Sequence, residues 1–222
     1  MNTATEYRDL PLNLLIRVNS KGERKISLMR WGFKREDGKL LFNARAESIN
    51  DVSFWKKSFS LRRCIVPADS FFEWQKTEEG KKPKFEFTIR GGKTFGMAGL
   101  WAPWRNPKTN QWEDTFAIVT VEANETMAPI HDRQPAILAL RDYPEYLENA
   151  ERPPIHLLRV FPDDEMKAEE IGREPISNKQ ANLLTVNDPK RLVATREHSE
   201  GRTREAWLEA VFYRATVSDI RR

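Results

Sequence analysis

The first half of the chain is patterned for strands, in short apolar runs punctuated by turn residues. Lys25–Met29 and Leu40–Phe42 flank the turn Glu36-Asp37-Gly38, which predicts two strands. Arg63–Pro67 and Phe71–Gln75 form a second pair around Ala68-Asp69-Ser70. Phe85–Arg90 and Phe95–Leu100 flank Gly91-Gly92, a dipeptide suited to a tight hairpin. Thr115–Val121 alternates and is rich in β-branched residues, so a strand is expected there. Pro135 leads into the apolar run Ala136–Leu140. Helices are expected at Ala46–Trp55 and Tyr143–Asn149. A third, Asp163–Glu170, follows Pro162 and opens on acidic residues, as a helix N-terminus prefers. A fourth, Arg204–Val217, places Trp207, Leu208, Val211 and Phe212 on one face. The sum is an α+β fold: antiparallel-rich hairpins curled into a barrel-like sheet, with flanking helices.

Length and composition narrow the picture. The chain has 222 residues and no stretch that reads as a linker, so one domain over residues 1–222 is expected. Its net charge of +4 fits a polyanion partner, although many solvated surfaces are as basic. The single cysteine, Cys64, rules out a disulfide within the chain and suggests a reducing compartment. One cysteine and three well-separated histidines offer no zinc spacing, so neither a metal nor a cofactor is expected. No apolar run is long enough to span a membrane, and no signal peptide is read at the start. A cytoplasmic monomer is the expectation.

Three clusters could carry chemistry. In Leu40-Leu41-Phe42-Asn43-Ala44-Arg45-Ala46-Glu47-Ser48 a strand gives way to a helix. Asn43 can donate and accept hydrogen bonds, and Arg45 can fork around a phosphate or carboxylate. A helix cap with a surface ion pair would use the same residues. In Arg62–Trp74, Glu73 stands in an aromatic run. Buried there, its carboxyl would have a raised pKa and serve as a general acid; turned outward by alternation, it would be solvated. Cys64, between basic and aliphatic residues, reads as an inert buried thiol. In Ala128-Pro129-Ile130-His131-Asp132-Arg133-Gln134-Pro135, two prolines bracket a His-Asp-Arg triplet. Histidine suits proton transfer near neutral pH, while a structural loop with an Asp132–Arg133 ion pair is the alternative.

Taken together, these clusters resemble the SRAP family, the SOS response-associated peptidases. The pieces stand in the family's order: WGF at Trp31–Phe33, NARAES at Asn43–Ser48, RRCIVPADSFFEW at Arg62–Trp74, AGLW at Ala98–Trp101, IVT at Ile118–Thr120 and IHDRQPAIL at Ile130–Leu138. The resemblance covers about residues 27–170, with 181–222 as a C-terminal extension. It implies binding of single-stranded DNA with abasic sites, capture of the abasic aldehyde in a DNA–protein crosslink, and self-processing as a peptidase. It also implies roles for residues. Glu73 is the acid/base that opens the sugar, His131 moves protons, and Asn43 orients the reacting groups. Arg45, Arg133, Thr120 and Trp31 are the implied DNA contacts. A binding module of the same fold without catalysis is the alternative.

The chain also departs from the family pattern. The family begins Met-Cys-Gly-Arg and joins the cysteine's α-amine and thiol to the aldehyde as a thiazolidine. Here the sequence reads Met1-Asn2-Thr3-Ala4, and no cysteine precedes Cys64. Either the true start lies upstream, or the chain binds DNA without that crosslink, or Cys64 substitutes. An internal cysteine has no free α-amine, which argues against the last.

Overall fold

The computed structural model describes residues 12–35, 39–77, 81–106, 109–149 and 152–175. Its strands are β1 Leu12–Val18, β2 Arg24–Trp31, β3 Phe33–Lys34, β4 Leu40–Leu41, β5 Asn43–Arg45, β6 Arg63–Ala68 and β7 Ser70–Trp74. They continue with β8 Lys81–Ile89, β9 Phe95–Arg105, β10 Trp112–Glu122, β11 Arg133–Pro135, β12 Ile137–Leu138 and β13 Met166–Pro175. Two α-helices are described, α1 Ser53–Leu61 and α2 Tyr143–Leu147.

Five strands close on themselves. β10 pairs with β2 in parallel, and β2–β1, β1–β6, β6–β9 and β9–β10 are antiparallel. Closure removes the free edges an open sheet would leave. Alternation then assigns each side chain to the inside or the outside. Leu15, Met29, Trp31, Cys64, Val66, Met97, Phe116 and Ile118 come from all five strands yet form one buried cluster, so they fill the barrel. Their neighbours Ile16, Ile65, Ala98, Leu100, Ala117 and Val119 point outward, under Trp55 and Phe59 of α1 and Tyr143 and Tyr146 of α2. Gly96 makes the fit on this side possible: a Cβ there would collide with the Tyr143 hydroxyl and with Ile65.

Both helices end on one buried cation. Arg63, 2% exposed, donates to the carbonyls of Ser60 at 2.7 Å and Tyr146 at 2.6 Å, and to those of Phe59 and Glu148. Carbonyls at a helix C-terminus lack intrahelical donors and carry the negative end of the helix dipole. One guanidinium therefore satisfies the ends of α1 and α2 together.

The barrel-like α+β expectation holds, but several local pairings differ. β8 and β9 flank Gly91-Gly92 as expected, yet they do not form a hairpin. β8 lies between β7 and β13 in a separate three-stranded sheet, while β9 belongs to the barrel. Arg90, Gly91 and Gly92 all have positive φ, and the Arg90 N–H donates to the Glu165 carbonyl; this turn hands the chain from one sheet to the other. Likewise β6 and β7 do not pair with each other, because Ala68-Asp69-Ser70 is a crossing between the same two sheets.

The helix expected at Asp163–Glu170 is a single 3-10 turn, Asp163–Glu165, followed by β13. Its alternation of Met166 and Ala168 with Lys167 and Glu169 has a strand's period, and the acidic start has another partner, described below. Ala46–Trp55 is also divided: Ala46–Ser48 is a 3-10 turn and α1 begins only at Ser53. Strand β1 carries no expectation from the pattern. The turn at residues 36–38 and the helix expected at Arg204–Val217 lie outside the described residues.

Candidate active site

The site is organised by the C-terminal half of β10, which has β5 on one side and β11 on the other. Ile118 stands opposite Asn43, and Thr120 stands opposite both Arg45 and Pro135. Asn43, Arg45, Thr120 and Arg133 thus share the barrel-interior face of the sheet, where its wall runs out into a mouth. The register of Asn43 depends on Phe42, whose carbonyl accepts from Ile118 N–H at 3.0 Å and from the Trp31 indole at 2.8 Å. Trp31 is itself 6% exposed. It therefore lies beneath the Asn43 strand and supports it.

The three-stranded sheet covers this mouth. Phe71, Phe87 and Ile89 on its inner face join the cluster that fills the barrel. Glu73 lies two residues beyond Phe71 on β7 and so faces inward too, while Phe72 and Trp74 face outward beneath the Lys84 ammonium, 5.1 Å from each ring. Alternation, left open by the sequence, turns Glu73 inward, where it is half-buried. Desolvation pushes its carboxyl up to about 7; the Trp74 N–H opposes this and the Asp132 carboxylate adds to it. Among the described residues no cation offsets this desolvation. A carboxyl of that kind is half protonated near neutral pH and can give or take a proton there.

His131 arrives on a loop fixed from three directions. The Gln75 amide donates to the Pro129 carbonyl at 2.9 Å, joining the loop to β7. Asn124, 8% exposed, accepts from Met127 N–H at 2.9 Å and donates to the Phe161 carbonyl at 3.1 Å. The Asp163 carboxylate accepts from the N–H and the hydroxyl of Thr126, each at 2.6 Å, which explains the acidic residue after Pro162. At the end of the loop, Arg133 N–H donates to His131 Nδ1 at 3.0 Å, and the Arg133 carbonyl lies 3.1 Å from the same nitrogen. When Nδ1 is unprotonated the amide satisfies it and the proton sits on Nε2. When Nδ1 is protonated the carbonyl can accept from it. Both states find a partner, as a proton-transfer group requires.

The two arginines have different circumstances. Arg45 is exposed. Arg133 is not open: Nη1 and Nη2 donate to the two Glu47 carboxylate oxygens at 2.9 and 2.8 Å, and Nη2 also donates to the Thr120 carbonyl at 2.7 Å. Sequence reasoning singled out Arg133 but not Glu47, Gln75, Asn124 or Asp163. The only signal for Glu47 was a carboxylate close to Arg45. Cys64, at 0% exposure inside the barrel, has its thiol pushed far up by burial, so it is no candidate nucleophile. Among the described residues no group of three or more His, Cys, Asp or Glu side chains is gathered to hold a metal, and no helix is long and apolar enough to cross a membrane.

Comparison with known proteins places the chain in one family. The family model described as SOS response associated peptidase (SRAP) matches residues 3–178. The chain belongs to the SRAP family. Among SRAP relatives, the abasic site processing protein YoqW of Bacillus subtilis is 31% identical over 169 residues, covering 72% of this chain and 75% of that one. The abasic site processing protein YoaM of the same organism is 32% identical over 185 residues, covering 78% and 80%. A crystal structure of a Bacteroides thetaiotaomicron protein superposes with a TM-score of 0.65 over 75% of this chain and 76% of its own, at 24% identity. That likeness concerns the fold alone.

Proposed function

We propose that this protein processes abasic sites in DNA, acting on single strands and capturing the ring-opened sugar covalently. The observation that carries the reading is the half-buried Glu73 carboxyl, raised to about 7 by desolvation and uncompensated among the described residues, on the strand beside the His131 loop. The names of the relatives support the substrate class.

The groups present suit the proton transfers that this chemistry needs. An abasic sugar is a cyclic hemiacetal. Opening it transfers a proton to the ring oxygen and removes one from the C1′ hydroxyl, leaving an aldehyde. Glu73, poised near neutrality, gives the first proton, and the carboxylate so formed takes the second, which restores the acid. A primary amine of the protein then adds to the aldehyde carbon, and the carbinolamine loses water to form an imine. His131 carries the proton that leaves the nitrogen to the departing hydroxyl. Asn43, whose buried side-chain oxygen has no partner in the free protein, accepts a hydrogen bond from the sugar or the amine. Thr120 lies beside it, and Arg45 on the exposed rim is placed for a flanking phosphate. Self-processing as a peptidase would use the same acid and base.

The test incubates the protein with a single-stranded oligonucleotide carrying one abasic site and resolves the products on a denaturing gel, with and without borohydride. A shifted band is expected, and mass spectrometry of the adducted peptide identifies the amine. Binding without a band under either condition would leave a DNA-binding module and remove the covalent step.

A further inference from the structure

The outside of the barrel is covered unevenly. The outward side chains of β6, β9 and β10 lie under α1 and α2. Those of β2 do not. Its outward row is Arg24, Ile26, Leu28 and Arg30, with Leu14 of β1 opposite Leu28 and Leu12 opposite Arg30. Leu12, Leu14, Ile26 and Leu28 belong to neither buried cluster, and Leu12, Ile26 and Leu28 are 49%, 46% and 62% exposed. Single apolar residues on a surface are ordinary, but a contiguous row on one sheet face marks an interaction surface. A groove of about 420 Å³ adjoins the row: Leu12 and Leu28 line it together with the polar side chains of Arg30, Gln111 and Glu113.

We propose that the segment Arg204–Val217 docks on this face as a helix, with Trp207 seated in the groove. The segment lies outside the described residues, and its sequence complements the face. Trp207, Leu208, Val211 and Phe212 recur at the spacing of one helical face, a stripe that needs an apolar partner. Its 14 residues would span about 21 Å as a helix, and the 8 residues of β2 span about 26 Å, so stripe and row match in length. An indole suits the groove: its ring is buried against leucine while its N–H finds an oxygen of Gln111 or Glu113. Reach sets no limit. From Pro175, where β13 ends, 28 residues lead to Arg204 and can extend over roughly 90 Å, against a domain diameter of roughly 40 Å. Residues 1–11, which run directly into β1, offer little apolar surface, with Met1, Tyr7 and Leu10 as their large apolar side chains.

Limited trypsin digestion of the full chain reads the docking, since Arg204 and Arg214 lie within the segment. A bond held in a docked helix is cut from the opened state. Cleavage after these two residues is expected to run about tenfold faster in Leu28→Asp and in Trp207→Ser than in the parent. The double variant should be no faster than the quicker single one, because both changes remove the same contact. A disulfide gives a second readout that removes no contact by charge. Leu208→Cys is paired in turn with Leu28→Cys and with Ile26→Cys, and oxidation should join the two segments within one chain in at least one pair. Cys64, buried in the barrel, takes no part. Failure of both pairs to crosslink would overturn the proposal, as would cleavage at one rate in the parent and both single variants. Faster cleavage in Trp207→Ser alone would overturn it by placing the helix on another face. A dimer that forms with rising concentration and is lost in Leu28→Asp would overturn it by making a second copy of the chain the occupant.

Discussion

The two ends of the barrel handle buried polarity in opposite ways. At the end away from the site, Arg17 points inward and every demand is met: its guanidinium donates to Ser27 at 2.9 Å, pairs with Asp114 at 2.9 Å and stacks 4.1 Å from the Trp101 ring centroid. At the site end the demands are left open. Among the described residues, Asn43 Oδ1 and Arg133 Nε are buried on the inward face at the mouth without a partner, whereas the other unpartnered buried polar atoms, of Trp74 and Gln134, sit at outward-facing positions. Glu73 is half-buried there, desolvated, with no cation among the described residues to compensate it. Unsatisfied polar atoms and a strained ionisation cost stability. Their concentration at one end is what a site prepared for a polar substrate looks like, while the other end is a plug.

Four tests would break or sharpen that contrast. The largest effect is expected from Glu73→Gln, which keeps the shape and removes the proton: adduct formation should fall by roughly 10²–10⁴, the range for a general acid or base. A rate within threefold of the parent (~0.6 kcal/mol) would take Glu73 out of the mechanism.

The same variant should be more stable than the parent above neutral pH. Glu73 rises from 4.5 to about 7 in the folded state, so the native form binds the proton more tightly than the unfolded form. Ionisation therefore costs nothing below about pH 4.5, and the fold loses stability as pH climbs through 7. Denaturant melts at pH 8 should show Glu73→Gln gaining on the order of 2–3 kcal/mol, with the gain gone at pH 4.5. A gain of the same size at both pH values would mean that charge is not its cause.

At the plug, Arg17→Met should cost about 1–3 kcal/mol by leaving Asp114 and Ser27 without their donor, with adduct formation unchanged once the variant is folded. A lost rate in a fully folded Arg17→Met would show that the two ends are not independent. The smallest effect is expected for Asn43→Leu. Removing an oxygen that has no partner should change stability by no more than about 1 kcal/mol, while the adduct rate drops. Destabilisation well beyond that would mark Asn43 as structural.

How much of this was legible in the sequence varies by element. The barrel strands announced themselves, because Thr115–Val121 and Arg63–Pro67 are β-branched or apolar runs of strand length. The Gly91-Gly92 hairpin did not form, because a glycine pair specifies that the chain turns and not which strand receives it. β8 already has a neighbour on each edge. Asp163 looked like a helix start for the same reason that it caps the loop at Thr126: a short carboxylate accepts any nearby backbone N–H. Glu73 was visible as a carboxylate among aromatics, but the face it occupies depended on β7 leaving the barrel for a second sheet.

The sequence alone determined the family, the strand-rich α+β architecture and the residues able to do acid–base chemistry, because those are properties of local pattern and side-chain type. Only the tertiary structure decided that Asn43 and Arg133 would flank one strand, that Trp31 would lie beneath the site, and that Arg133 would hold Glu47 across 86 positions. Such contacts arise when a sheet closes. Closure is set by the sum of distant pairings, and no window of sequence contains it.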